Sequence, residues 1–203
     1  MYKLRADQQP YAGSVHRIGA YLIDIGILYT GVLASQLGLR SITGGFPFTQ
    51  LKTGPQIERW VLLTVSLPTW LYFTLSEWSH KQATIGKRMC GLYVTDTLGQ
   101  RLSFGRALLR TLAKLAPWEI THLSLLLPTP IYAEDSPRFR PGLIVANLLL
   151  ILYLALALLT PRKQSLHDLV TKTVVLERKD CSHWLLPLLR EKMPWVSSRT
   201  RQL

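Results

Sequence analysis

The sequence predicts an α-helical polytopic membrane protein of about four transmembrane helices, with a small cytoplasmic β-hairpin or three-stranded sheet attached. Three observations predict it. The apolar residues are gathered into blocks long enough to cross a bilayer, the basic residues crowd to one side of those blocks, and short β-branched runs lie in the polar segments beside them. A chain of 203 residues suits a single bundle of this kind.

The first block, residues 18–39, and the second, 60–78, are separated by a loop containing TGGFP and TGP. A third, LIVANLLLILYLALALLT at 143–160, has no charge at all. A hydrocarbon core of about 30 Å needs about 20 helical residues, so these three qualify as spans. The block at 111–133 is poorer, with Lys114, Glu119 and His122 inside it and Pro117 and Pro128 interrupting it. It is either a fourth crossing or, in the alternative, an interfacial or re-entrant helix beside three crossings. Residues 1–17 are polar and the first block is longer than the apolar core of a secretory leader, so we expect it to remain as a span.

The formal net charge of +12 would point to nucleic acid in a soluble protein, but the charge is distributed as a membrane protein distributes it. Lys3, Arg5 and Arg17 precede the first span, seven basic residues from Lys81 to Lys114 follow the second, and nine more run from Arg162 to Arg201. The loop at 40–59 has three, and at 134–142 Arg138 and Arg140 are offset by Glu134 and Asp135. By the positive-inside rule both termini lie in the cytoplasm, which requires an even number of crossings in the inner membrane. The expected partner is a bilayer with anionic headgroups, and no nucleic acid. Cys90 and Cys181 fall on the reducing side, so neither a disulfide nor a metal set is expected.

The cytoplasmic pieces follow. GLYVT is β-rich, DTLGQ has turn chemistry, and RLSF can return as a second strand within 89–104; KTVVLER at 172–178 is a third run. TIGK lacks the upstream glycine and following Ser or Thr of a phosphate loop, and reads as a tight turn carrying Lys87 and Arg88 to the membrane surface. SFGRALLRTLAKL spaces Arg106, Arg110 and Lys114 four apart, a basic amphipathic face that either anchors to headgroups or presents cations to buried acids. Residues 179–203 form a basic amphipathic tail with Trp184 and Trp195.

Charged residues in or beside the apolar blocks are the candidate site. Arg17, Asp24 and Gly31 are seven apart and share a helical face, and an acid inside a span marks function or a packing lock. Arg17, Arg106, Arg110 and Lys87 are the candidate partners of Asp24. Glu77, at the end of the second block, is either a headgroup-level acid or part of the Asp24 site. Glu119 and His122, three apart, form a second candidate relay if their block crosses the membrane. His167 and Asp168 are adjacent and so point to different sides, which argues against catalysis and for Asp168 as an anchor to a basic group of the entry helix.

With these residues in view, the chain resembles the RDD family of small integral membrane proteins, named for one arginine and two aspartates. Arg17 and Asp24 match the first two; the stretch from Glu77 through QATIGKRMCGLYVTDTLGQRLSFGRALLR resembles the central signature and RKQSLHDLVTKTVV the closing one. Asp168 is the choice for the second aspartate, with Asp96 its competitor. The resemblance covers about 11–178; the insert at 129–146 and the tail depart from it. Family members are mostly of unknown function, with transport proposed and cation/proton exchange reported for some.

The resemblance and the buried acid together lead us to expect transport of a small ligand or ion, cation/proton exchange included, without enzymatic activity or a cofactor. The site would comprise Arg17, Asp24, Glu77, Lys87, Arg106, Arg110, His167 and Asp168, and transport through so few helices implies a homo-oligomer. The alternative is a non-transporting scaffold or assembly factor that binds anionic lipid or a protein partner.

Overall fold

The computed structural model describes residues 10–136 and 138–178 and is mostly helical. Lys3, Arg5, Cys181 and the expected tail at 179–203 lie outside the described residues. The order is α1 (Ser14–Ile42), α2 (Gly54–Val61), a π-helical segment (Leu62–Ser66), α3 (Leu67–Trp78), α4 (Ile85–Met89), β1 (Leu92–Asp96), α5 (Phe104–Leu126), a 3-10 turn (Ile131–Ala133), α6 (Pro141–Leu159), α7 (Leu166–Thr171) and β2 (Thr173–Glu177).

Among the described residues two helices, α1 with 29 residues and α6 with 19, are long and apolar enough to cross a membrane. Their outward faces are rich in exposed leucine, isoleucine and valine, as lipid contact requires. The second apolar block is helical throughout, but it begins earlier, at Gly54, and is widened by the π-helical segment. Pro68 explains the widening. Proline has no amide hydrogen and its ring crowds the carbonyl four residues back, and a π turn just before it relieves both. Gly54 lets the start of α2 press on the end of α5, since a Cβ there would lie 2.0 Å from the Leu126 carbonyl oxygen.

The poor block is a single helix, α5, which starts at Phe104 and ends at Leu126, short of the expected 133. The basic entry segment and the apolar block are therefore one continuous rod. Ser103 caps it by accepting from the Arg106 amide. α5 is the central post of the fold, in contact with α2, α3, α6 and α7.

The expected hairpin does not form. β1 pairs antiparallel with β2, from Leu92 opposite Glu177 to Asp96 opposite Thr173, and RLSF passes directly into the cap of α5. The turn at DTLGQ is real, with Gly99 at φ +79° and the Asp96 carboxylate accepting from the Leu98 and Gln100 amides. The other edge of β1 is already occupied, because Gln82 exchanges hydrogen bonds with Val94 through both its backbone carbonyl and its side chain. The chain before α1 pairs with the far edge of β2, where Tyr11 bridges Leu176 and the Ala12 amide donates to the Val175 carbonyl. Ala12, Ala20, Leu92, Val94, Leu102, Ala107 and Val175 form the small apolar core that seats this sheet against the ends of α1 and α5.

Candidate functional site

Asp24 is fully buried on α1. Its carboxylate accepts from Tyr72 Oη at 2.6 Å, Thr84 Oγ1 at 2.6 Å and the Gly86 amide at 2.7 Å. The approach of α4 depends on glycine, since a Cβ at position 86 would lie 2.1 Å from the Ala20 carbonyl oxygen. Asp24 thus takes its hydrogen bonds from neutral donors and fastens α1 to α3 and α4. Arg17, Lys87, Arg106 and Arg110 do not serve as its partners, because each is drawn to another acid.

That second set of contacts is a chain of alternating charge. Lys87 Nζ donates to Glu77 Oε1 at 2.5 Å, and Arg110 donates through Nη1 to Glu77 Oε2 at 2.5 Å and through Nη2 to Asp168 Oδ1 at 2.5 Å. Arg17 closes the chain by donating to Asp168 Oδ2 and to the Lys163 carbonyl. Glu77 is therefore paired with Lys87 and Arg110 rather than with Asp24 or its donors, and both Glu77 and Lys87 are buried within the protein. Paired, hydrogen-bonded charges are the form in which ions can be buried at tolerable cost.

α7 places Asp168. Ser165 caps this short helix, and Asp168 at its third position bonds back to the Ser165 amide at 3.1 Å, a reciprocal capping box. The same carboxylate thus orders its own helix and holds two arginines. Burial acts to raise its pKa, but the Arg110 and Arg17 guanidiniums hold it well below the usual carboxylate range. Burial also holds His167 well below the ordinary imidazole value and therefore neutral. His167 Nε2 lies 3.6 Å from Asp168 Oδ1, and its Nδ1 is buried without a hydrogen-bond partner among the described residues. Arg110 Nε donates to Thr173 Oγ1 at 3.1 Å, tying α5 to β2.

Six of the eight candidate residues thus meet in or beside the charge chain, and Asp24 heads the separate set of neutral contacts. Arg106 is not among them; it meets Asp96 at 3.3 Å in a partly exposed pair on the sheet. Of the two competitors for the second aspartate, Asp168 is the one that touches Arg17. Lys114 was legible as the next residue on the Arg106 and Arg110 face yet was left out of the site. Its ammonium lies 3.5 Å from the Phe73 ring centroid and 4.6 Å from that of Tyr21. Tyr72, Thr84 and Thr173 were missed, because a neutral hydroxyl in an apolar or β-branched run gives no signal of its own.

A cavity of about 550 Å³ lies between α1, α5 and α6. Arg17, Lys87, Arg110, Lys114, Asp24 and His167 supply its polar surface, and Ile18, Tyr21, Trp118, Leu150 and Leu154 are among its apolar walls.

Glu119 and His122 do meet, at 2.9 Å, and Glu58 joins them from α2 at 3.0 Å on the other imidazole nitrogen. Trp70 Nε1 and Ser66 Oγ also donate to Glu119. This second buried cluster lies further along α5, and Glu58 was not expected in it. No group of three or more His, Cys, Asp or Glu residues arranged to hold a metal ion occurs among the described residues.

Comparison with curated proteins and with solved structures returns no match. The sequence model of the RDD family matches residues 11–172, a stretch that contains both the Asp24 fastening and the Arg17, Glu77, Arg110 and Asp168 chain. The chain belongs to the RDD family and is a membrane protein.

Proposed function

We propose that the protein is a multi-pass protein of the cytoplasmic membrane, both termini on the cytoplasmic side, that transports a small ligand or ion through the cavity between α1, α5 and α6. The segment 54–78 and α5 would join α1 and α6 as crossings. Supporting this, α5 runs 23 residues, Arg110 and His122 are buried against Glu77 and Glu58, and the partly buried Glu119 accepts from Ser66 and Trp70 rather than turning to lipid. The sheet with Arg17, Lys87 and Arg106 would mark the cytoplasmic end.

The observation that carries the reading is a cavity within the helices whose floor holds groups not consumed by the fold. Lys114 has ring contacts but no hydrogen bond or ion pair among the described residues, and His167 Nδ1 has no partner among them either. The alternating charge chain would be the rigid frame; Lys114 and His167 would engage the cargo. This arrangement favours an anion over a cation. Exchange of cations for protons at Asp24 would require a carboxylate free to change partners, and three donors already occupy it.

The test is flux in proteoliposomes carrying a pH-sensitive dye, under imposed gradients of sodium, potassium, phosphate and a small carboxylate. We compare the native protein with Lys114→Met at matched amounts of folded protein. Flux in the native protein that is lost in the variant is the expected result. Equal flux in both would refute the assignment of Lys114. Absence of flux under every gradient would favour a scaffold or assembly factor, a reading supported by how completely the acids of the charge chain are engaged in holding helices together.

A further inference from the structure

The cavity between α1, α5 and α6 has an opening whose character is distinct from its floor. Leu150 on α6 and Ile18 on α1 line it and are nevertheless 59% and 46% exposed on the outer surface of the protein. A residue can do both only where the cavity opens sideways past it. On helices that cross a membrane, that direction is acyl chain. The wall formed by α6 runs from Ala157 to Ala146, a rise of about 16 Å at ~1.5 Å per residue. One leaflet of a 30 Å hydrocarbon core is about 15 Å deep. The apolar part of the cavity therefore has the height of one lipid chain, and it starts at the charged end of the bundle.

The charge at that end is positive. Among the described residues that form the cavity and its charge chain, Arg17, Lys87, Arg110 and Lys114 face Asp24, Glu77 and Asp168. The three acids are engaged by Arg17, Lys87, Arg110 and the donors around Asp24, so Lys114 is the basic group of the cavity without an acidic partner among the described residues. Its ammonium is held between Tyr21 and Phe73, and cation–π contact leaves its N–H groups available for an oxyanion. The unpartnered Nδ1 of the nine-tenths-buried His167 lines the same cavity and, in the tautomer that carries the ring proton on Nδ1, donates a second polar contact.

We infer that this cavity binds an anionic membrane lipid, its headgroup oxyanion at Lys114 and His167 and one chain along Ile18, Leu150 and Leu154, entering sideways from the cytoplasmic leaflet. The inference rests on the reading of the cavity as the ligand site and names its occupant. A free oxyanion such as phosphate would satisfy the floor equally well; the leaflet-deep apolar wall is what favours a lipid.

The experiment is native mass spectrometry of the full-length protein in detergent, supplied with equimolar phosphatidylglycerol and phosphatidylcholine of identical chains. One retained phosphatidylglycerol is expected, weakened at least about tenfold by Lys114→Met, the loss typical of a charge-assisted contact. Leu150→Trp, which fills the chain wall without altering charge, should weaken it too, whereas Arg162→Met, an exposed charge off the cavity, should leave it unchanged. Melting temperatures identify any variant that fails to fold. Equal retention of the two lipids, or retention indifferent to both cavity variants, overturns the inference. So does displacement of the lipid by inorganic phosphate, which would assign the floor to a free anion. Lipid retention without flux counts against transport alone; flux of a small anion without lipid retention counts against the lipid alone.

Discussion

Asp168→Asn is the most informative single substitution. Asp168 accepts from Arg110 at 2.5 Å, from Arg17, from Thr173 Oγ1 at 3.3 Å and from the Ser165 amide at 3.1 Å. Asparagine keeps the shape and one acceptor oxygen, but its amide nitrogen must face a guanidinium. Two buried cations then share a neutral partner. Removing one member of a buried ion pair costs about 3–5 kcal/mol. The lost capping contact belongs to the same carboxylate and is not simply additive. For a chain of this size such a loss corresponds to a drop of roughly 6–20 °C in melting temperature.

The assay is thermal unfolding of native and variant protein in the same lipid nanodiscs across a pH series. The carboxylate is more acidic in the folded protein than in the unfolded chain, so its stabilisation is complete above the unfolded value of about 4 and is lost as pH falls through the lower, folded value. The native and variant melting temperatures should therefore differ by a constant amount near neutrality and converge in strong acid. A neutral-pH difference below about 1 kcal/mol, the range of a surface pair, would show that the arginines find other partners, and the charge chain would lose its role as the frame.

Three further outcomes follow from the same geometry. Gly86→Ala sets a methyl group 2.1 Å from the Ala20 carbonyl; the backbone of α1 must yield, and we expect overpacking of about 1–3 kcal/mol in the same melts. Unchanged stability would mean that α4 can withdraw freely. Asp24→Asn offers one acceptor oxygen to three donors and should lose about 1.5–3 kcal/mol in the same melts; a stable variant that has lost flux would instead restore Asp24 as the exchanging group. Arg106→Met breaks a pair whose arginine is 41% exposed and should cost less than about 1 kcal/mol, as urea titration would check.

The contrast between Arg106 and Arg110 shows how far the chain could be read in advance. Both sit four residues apart on one helical face, and periodicity alone treats them alike. One meets Asp96 at the surface and the other bridges Glu77 and Asp168 in the interior. Arg17 is a sharper case: Asp24 is seven residues away on the same face, yet the arginine reaches Asp168, 151 positions along the chain. The anchoring of Asp168 to the entry helix was legible because adjacent residues point to different sides of the chain, whereas the short helix α7 that holds it was not.

Composition and order were enough for the helical blocks, for the turn at DTLGQ, for the family and for most of the residues that gather at the charged end, because each depends on short-range physics: solvation of a continuous apolar run, permissive backbone at glycine, charge beside a hydrophobic segment. The pairing of acids with bases, the antiparallel partner of β1 and the cavity between α1, α5 and α6 depend on which distant surfaces meet. β1 could not close a hairpin because Gln82 and β2 already held its edges. Asp24 could not pair with an arginine once Tyr72, Thr84 and Gly86 had enclosed it. Lys114, left over from the charge chain, faces a cavity that comes into being only when three helices from different parts of the chain stand side by side.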